Sequence, residues 1–155
     1  MNILVLAVGR MRDPALAALC EDYAVRIRRY GHRLSIEEVK EEPGGKQAAR
    51  ILRKEAERLR SRLPEDAYSV ALDRAGEACD SPGLACRLHN LAEQAVKRVV
   101  FLVGGHLGLD PALVSSCDWT LSLSTMTFPH EMARLLLLEQ IYRANTILRG
   151  EPYHK

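Results

Sequence analysis

Two stretches, Ile3–Gly9 (ILVLAVG) and Val99–Gly105 (VVFLVGG), contain no polar side chain. A strand with one wet face alternates polar and apolar residues, because successive side chains point to opposite sides. Strands apolar on both sides must be covered on both. Short β-rich runs of this kind belong to parallel sheets sandwiched between helices. The rest of the chain therefore has to supply covering helices.

It does so in alternation. Residues 13–30 repeat apolar positions at three and four (Leu16, Leu19, Cys20, Tyr23, Ile27), and Asp13-Pro14 makes a helix start. RLSIEEV reads as a second strand and KEEPGGK as a turn-rich, mobile loop. A charged helix is expected from about Gln47 to Arg62, and AYSVALD as a third strand ending at Asp73. Ser81-Pro82 opens a helix to about Ala95, and RVVFLVGG is the fourth strand. Asp110-Pro111 starts a short helix, and WTLSLS is the fifth strand. Pro129 begins a last helix that reaches Arg149 and is stopped by Gly150. This alternation over 155 residues predicts one α/β domain spanning 1–155, a sandwich with a mainly parallel sheet.

The four cysteines (20, 79, 86, 117) form no C-x-x-C pair and have no zinc spacing. Reduced, mostly buried thiols of a cytoplasmic protein without a metal are the expectation. The first apolar run lacks a basic flank and a cleavage site, and reads as a strand, not a signal peptide. No run approaches the roughly 18 apolar residues of a membrane span. The net charge of +2 does not by itself argue for a nucleic-acid partner. Arg26, Arg28, Arg29 and Arg33 cluster, as do the basic residues between Arg50 and Arg62, but solvated helix faces look the same. His32 and His89 have no motif around them.

In parallel sheets ligands gather at the carboxyl ends of strands. Three loops lie there: Leu72–Gly76, Gly104–Gly108 and Leu123–His130. The glycines at 104, 105 and 108 permit positive φ and let a ligand approach bare backbone. Their spacing fits neither a dinucleotide fingerprint nor a P-loop, and a turn that only redirects the chain has the same signature. Ser124, Thr125 and Thr127 beside Met126 and Phe128 suit a flat apolar ring with polar edges. An N-cap by Thr127 is the structural alternative. The last helix carries four consecutive leucines, Leu135–Leu138, enough to make one turn apolar all round and offer a second face to a partner. Glu139 and Arg143 are spaced for an ion pair, and Arg143 is equally suited to hold a phosphate. After Gly150 the chain ends in EPYHK, placing two titratable rings, Tyr153 and His154, in a tail.

Taken in order, Gly104-Gly105-x-x-Gly108, LSLSTMTFPHEMARLLLLEQIYRA and the terminal RGEPYHK resemble the RlmH family, the smallest SPOUT methyltransferases. The opening ILVLAVGR and the central ALDRAGE extend the likeness over the whole chain. The resemblance implies an S-adenosylmethionine-dependent enzyme that methylates N3 of a pseudouridine in helix 69 of 23S rRNA, in the ribosome. It implies a homodimer and a C-terminal trefoil knot, which general topology rules alone would disfavour. It implies cofactor contacts from Leu72, Gly104, Leu123, Ser124, Thr125, Met126, Thr127 and Phe128, with Gly105 and Gly108 completing the glycine turn. Some relatives carry an acidic or small polar residue where this chain has His106 and Leu107, so the loop's backbone is expected to act instead of its side chains. For the chemistry, His154 is the first candidate base, Tyr153 a stacking or hydrogen-bonding partner of the base, His130 a second candidate, and Arg143 an anion holder. The alternatives are a SPOUT methyltransferase with another RNA target, or a non-catalytic nucleotide-binding module on the ribosome.

Overall fold

The computed structural model describes residues 1–155. The chain runs β1 (Asn2–Val8), α1 (Pro14–Arg28), β2 (Arg33–Val39), α2 (Ala48–Arg60), β3 (Tyr68–Ala78), α3 (Ser81–Glu93), β4 (Arg98–Val103), α4 (Pro111–Ser115), β5 (Trp119–Ser122) and α5 (His130–Leu148). Its five strands form one sheet in the order β2-β1-β4-β3-β5, with every pair parallel. The two all-apolar strands, β1 and β4, are neighbours at the centre.

Their side chains divide the core in two. Ile3, Val5 and Ala7 of β1 and Val99, Phe101 and Val103 of β4 face one layer, made with α1, α3 and α5. Leu4, Leu6, Val8, Val100 and Leu102 face the other, where Ala56 and Leu59 of α2 and Leu113 of α4 pack. Period-two alternation thus holds in strands whose residues are all apolar, because both faces are buried. No helix is long and apolar enough to cross a membrane.

Asp-Pro and Asp-x-Pro pairs start three helices. Asp13 accepts the N–H groups of Ala15 and Leu16, Asp80 that of Gly83, and Asp110 those of Ala112 and Leu113. The last helix is different, with Pro129 at the cap position and no side-chain cap. Thr127 therefore does not cap α5.

Two side chains on the first turns of α5 tie it down instead. Glu131 accepts the N–H groups of Arg12 (2.9 Å) and Asp13 (3.2 Å). Those two N–H groups, the Arg12 one first, hold its carboxyl below the usual range. Three residues on, Arg134 is 1% exposed and donates to the carbonyls of Val8 and Gly9 (2.7 Å each) and to Glu38 (2.9 Å). Burial lowers the guanidinium's pKa and the nearby Glu38 opposes that; an arginine stays charged even so.

Several expectations need correction. β3 does not end at Asp73 but resumes after a bulge, with Glu77 and Ala78 pairing to Leu121 and Ser122. The bulge closes because a Cβ-free Gly76 lies against the Thr120 carbonyl, where a methyl would meet oxygen at 2.7 Å, and because Glu77 accepts the Trp119 indole N–H at 2.7 Å. β5 stops at Ser122, so Leu123 and Ser124 belong to the following loop. The 40–46 segment is tethered: Glu42 is buried, pairs with Lys46 and Arg58, and is held near a pKa of about 2 by those hydrogen bonds. Only Cys20 of the four free cysteines is fully buried, and Cys86 is exposed. His32 is not incidental, because its Nε2 meets Asn145 Oδ1 at 2.7 Å and joins the start of β2 to α5.

Arg134→Met leaves two strand-end carbonyls and one side of Glu38 without their donor. It is expected to cost about 3 kcal/mol, seen as a fall of roughly 10 °C in the thermal midpoint followed by circular dichroism. A change under about 2 °C contradicts the role given to this side chain.

Candidate active site

The bulged middle of β3 and the loops after β4 and β5 converge on one cleft of about 660 Å³. Leu72, Asp73 and Arg74 form one wall, and Val103 through Gly108 a second. The stretch Leu121–Pro129, joined by His130 and Ala133 of α5, forms the third. That volume is ordinary for a site holding a molecule of nucleoside size. Of the ten residues expected to touch a cofactor, nine line it: Leu72, Gly104, Gly105, Gly108, Leu123, Ser124, Met126, Thr127 and Phe128. Thr125 is exposed beside them and does not line the cleft.

Local sequence explains the shape. Gly104 packs so closely on the Gly108 carbonyl that no Cβ fits there, and Gly108 has φ of +82°. A Gly108 N–H to Gly105 carbonyl bond (3.1 Å) closes the turn. Gly105 pairs with Gly108 in an antiparallel bridge, while the N–H groups of His106 and Leu107 make no bond within the chain, which leaves two bare donors on the rim. Across the cleft, the Ser122 hydroxyl shares its one proton between the carbonyls of Arg74 (3.1 Å) and Ser124 (3.0 Å), linking β3 to the loop after β5. Ser124 Oγ accepts the Met126 N–H at 3.0 Å. Met126 itself is 69% exposed, an apolar side chain at the mouth with nothing covering it. The donors, the apolar side chains and the glycine turn together fit a nucleoside bearing a charged chain.

His130 stands where this cleft meets a second, charged groove lined by Gly9, Arg10, Arg12 and residues 38–43. Gly9, with φ of +82°, sits close to both sides of this junction, since a Cβ there would lie 3.6 Å from His130 Nε2 and 3.3 Å from Glu41 Oε2.

The other three candidates form a separate cluster. Arg143 pairs with Glu139 and lies over the Tyr153 ring, 4.8 Å from its centroid. Tyr153 donates to Glu139 (3.1 Å), meets the Tyr23 hydroxyl (3.3 Å), and packs edge-on against Tyr142 with centroids 4.8 Å apart. The tail is anchored further by Tyr30, whose hydroxyl donates to Glu151. His154 Nδ1 lies 3.5 Å from Arg143 Nη1. Burial, then the bonds to Tyr23 and Glu139, push the Tyr153 phenol well above its ordinary pKa. It is a neutral donor at physiological pH, not a base.

The two clusters sit apart. His130 and Arg143 are thirteen residues apart on one helix, about 20 Å at the helical rise. Within a single chain the tail does not meet the cleft. Sequence reasoning missed Arg134, lost in a leucine-rich run, and Glu55, lost in a charged helix. An acid at an otherwise apolar phase of α2, between Ile51 and Leu59, is the signal that would have found the second.

Known proteins place this arrangement. A family model described as "Predicted SPOUT methyltransferase" matches residues 1–154. The ribosomal RNA large subunit methyltransferase H of Gemmatimonas aurantiaca is 46% identical over 156 residues, covering 100% of both chains. That of Geobacter metallireducens is 43% identical over 155 residues and 99% of each. The fold alone is shared with a probable methyltransferase of Bordetella pertussis, with a TM-score of 0.55 at 14% identity, covering 92% of this chain and 95% of that one. The chain belongs to the SPOUT methyltransferases, in the family of ribosomal RNA large subunit methyltransferase H.

Proposed function

We propose that this protein is an S-adenosylmethionine-dependent methyltransferase of 23S rRNA that methylates N3 of a pseudouridine in helix 69. It acts on the ribosome in the cytoplasm, as a homodimer. The observation that carries this reading is the cleft of glycine turn, hydroxyl-bearing loop and Leu72, whose lining fits the cofactor. Whole-chain likeness to ribosomal RNA large subunit methyltransferases supplies the substrate class. The trefoil knot belongs to the same proposal, and rests on the whole-chain likeness to the family.

S-adenosylmethionine supplies a methyl group already activated on a sulfonium centre. What remains for the protein is to hold the acceptor nitrogen in line, within about 3–3.5 Å, and to remove its proton. The bare N–H groups of His106 and Leu107 and the hydroxyl loop orient the ligand. His154 takes the imide proton as the general base. Tyr153 gives a hydrogen bond to a base carbonyl or stacks on the ring, and Arg143 offsets negative charge on the imide or on a phosphate.

A homodimer resolves the separation of cleft and tail. α1 and α5 pack together and expose Leu19, Val25, Met132 and Leu148. A two-fold interface built on these helices buries the same patch of each subunit. With the two α5 helices antiparallel, each tail arrives at the other subunit's cleft.

Two outcomes test the reading. His154→Ala is expected to lower methylation of ribosomes by 10²-fold or more, the usual worth of general-base catalysis, with S-adenosylmethionine affinity by calorimetry within about twofold. Equal losses in both, or full activity, remove His154 as base. In the second test, H154A subunits are co-expressed with Leu72→Arg subunits, each inactive alone. Half of randomly paired dimers then hold one intact site of two, so about a quarter of wild-type activity returns. No recovery means that each tail serves its own cleft.

A further inference from the structure

The glycine turn rests on a side chain for which the chemistry above has no use. α2 turns Ile51, Glu55, Ala56 and Leu59 inward, and Glu55 is only 2% exposed. One of its oxygens, Oε1, accepts the Glu42 N–H at 3.0 Å. The other, Oε2, is buried without a partner among the protein's donors. A buried carboxylate oxygen left unpaired costs on the order of 1–3 kcal/mol, so a chain that keeps one ordinarily uses it.

Its position shows where. A Cβ on Gly105 would lie 3.3 Å from Glu55 Oε2 and 3.6 Å from Oε1. The absent side chain lets the turn settle directly on the carboxylate. The next two N–H groups of the same turn, those of His106 and Leu107, make no bond within the chain. A buried acceptor without a donor therefore lies beside a turn that carries donors without an acceptor, in a glycine-rich stretch whose backbone is conformationally permissive.

We propose that Glu55 is a positioning residue for the cofactor loop. When the turn closes on S-adenosylmethionine, Oε2 accepts the N–H of His106 or Leu107 while Oε1 keeps that of Glu42. A single carboxylate then joins the cofactor turn to the ion-paired segment, Glu42 with Lys46 and Arg58, that walls the charged groove beside His130. This inference rests on the methyltransferase reading.

The test uses the full-length protein and Glu55→Gln. The amide keeps a carbonyl oxygen for the Glu42 N–H but turns a donor toward the glycine turn. The expected result is a thermal midpoint within about 3 °C of wild type, with S-adenosylmethionine affinity by calorimetry weakened about tenfold. KM for S-adenosylmethionine rises in parallel, and kcat changes less. Hydrogen exchange is expected to show cofactor-induced protection of the His106 and Leu107 amides in wild type that is lost in E55Q. Affinity within twofold of wild type and unchanged protection overturn the assignment. If E55Q does not fold, Glu55→Asp carries the test, since it keeps the charge but withdraws the oxygens by one methylene, and unaltered affinity there overturns it equally. A wild type without affinity for S-adenosylmethionine overturns the function and this inference together. A wild type that binds, with a variant that binds as well, overturns Glu55 alone.

Discussion

A buried guanidinium holds this molecule together at the point where its chemistry is built. Arg134 leaves the third helical layer element, α5, and ends on the carbonyls of Val8 and Gly9 at the carboxyl end of the central strand β1. Those carbonyls lie beyond the last ladder position of β1 with β4, Ala7 opposite Val103. A charged donor with several N–H groups in one plane satisfies both at once. Glu131 repeats the tie one turn earlier, on the N–H groups of Arg12 and Asp13. Because α5 starts without a side-chain cap, these two contacts set where it begins. The start of α5 in turn sets His130, Ala133 and the end of the hydroxyl loop.

The site inherits its division of labour from that placement. Backbone does most of the work at the cleft, in the glycine turn and in the loop stitched by Ser122. Side chains do it in the tail, where tyrosines, an arginine and a carboxylate hold one another. The first arrangement suits a ligand of fixed shape, since bare N–H groups and carbonyls have no rotamers to lose. The second suits a substrate presented by something much larger, for which a few protruding polar groups are enough.

Much of this was legible in residues 1–155 before any coordinates. The all-apolar runs in β1 and β4 implied a sheet covered on both sides, and Asp13-Pro14, Ser81-Pro82 and Asp110-Pro111 mark real helix starts, although Asp80 and not Ser81 is the cap of the second. The loops after β4 and β5 did converge, on a stretch of β3 that reads as a loop in the sequence. What escaped was whatever depends on contacts distant in sequence. The resumption of β3 after Asp73 is decided by Gly76 against Thr120 and by Glu77 on Trp119, partners more than forty residues on. Arg134 looks like an ordinary surface charge at helical spacing until the strand ends opposite it are seen, whereas Glu55 is marked only by its apolar phase on α2. The tail's contacts reach back to Tyr23 on α1 and Tyr30 just after it, a distance no local pattern encodes.

The strand order carries a consequence for biogenesis. β4 lies between β1 and β3, so β3 has no neighbour on that side until β4 has been made. The cleft then waits for β5 and for α5, which brings Arg134 to Val8 from 126 positions later in the chain. Domains fold from the amino end as they are synthesised, so the cleft, whose last wall follows β5, is assembled only after most of the sheet is in place.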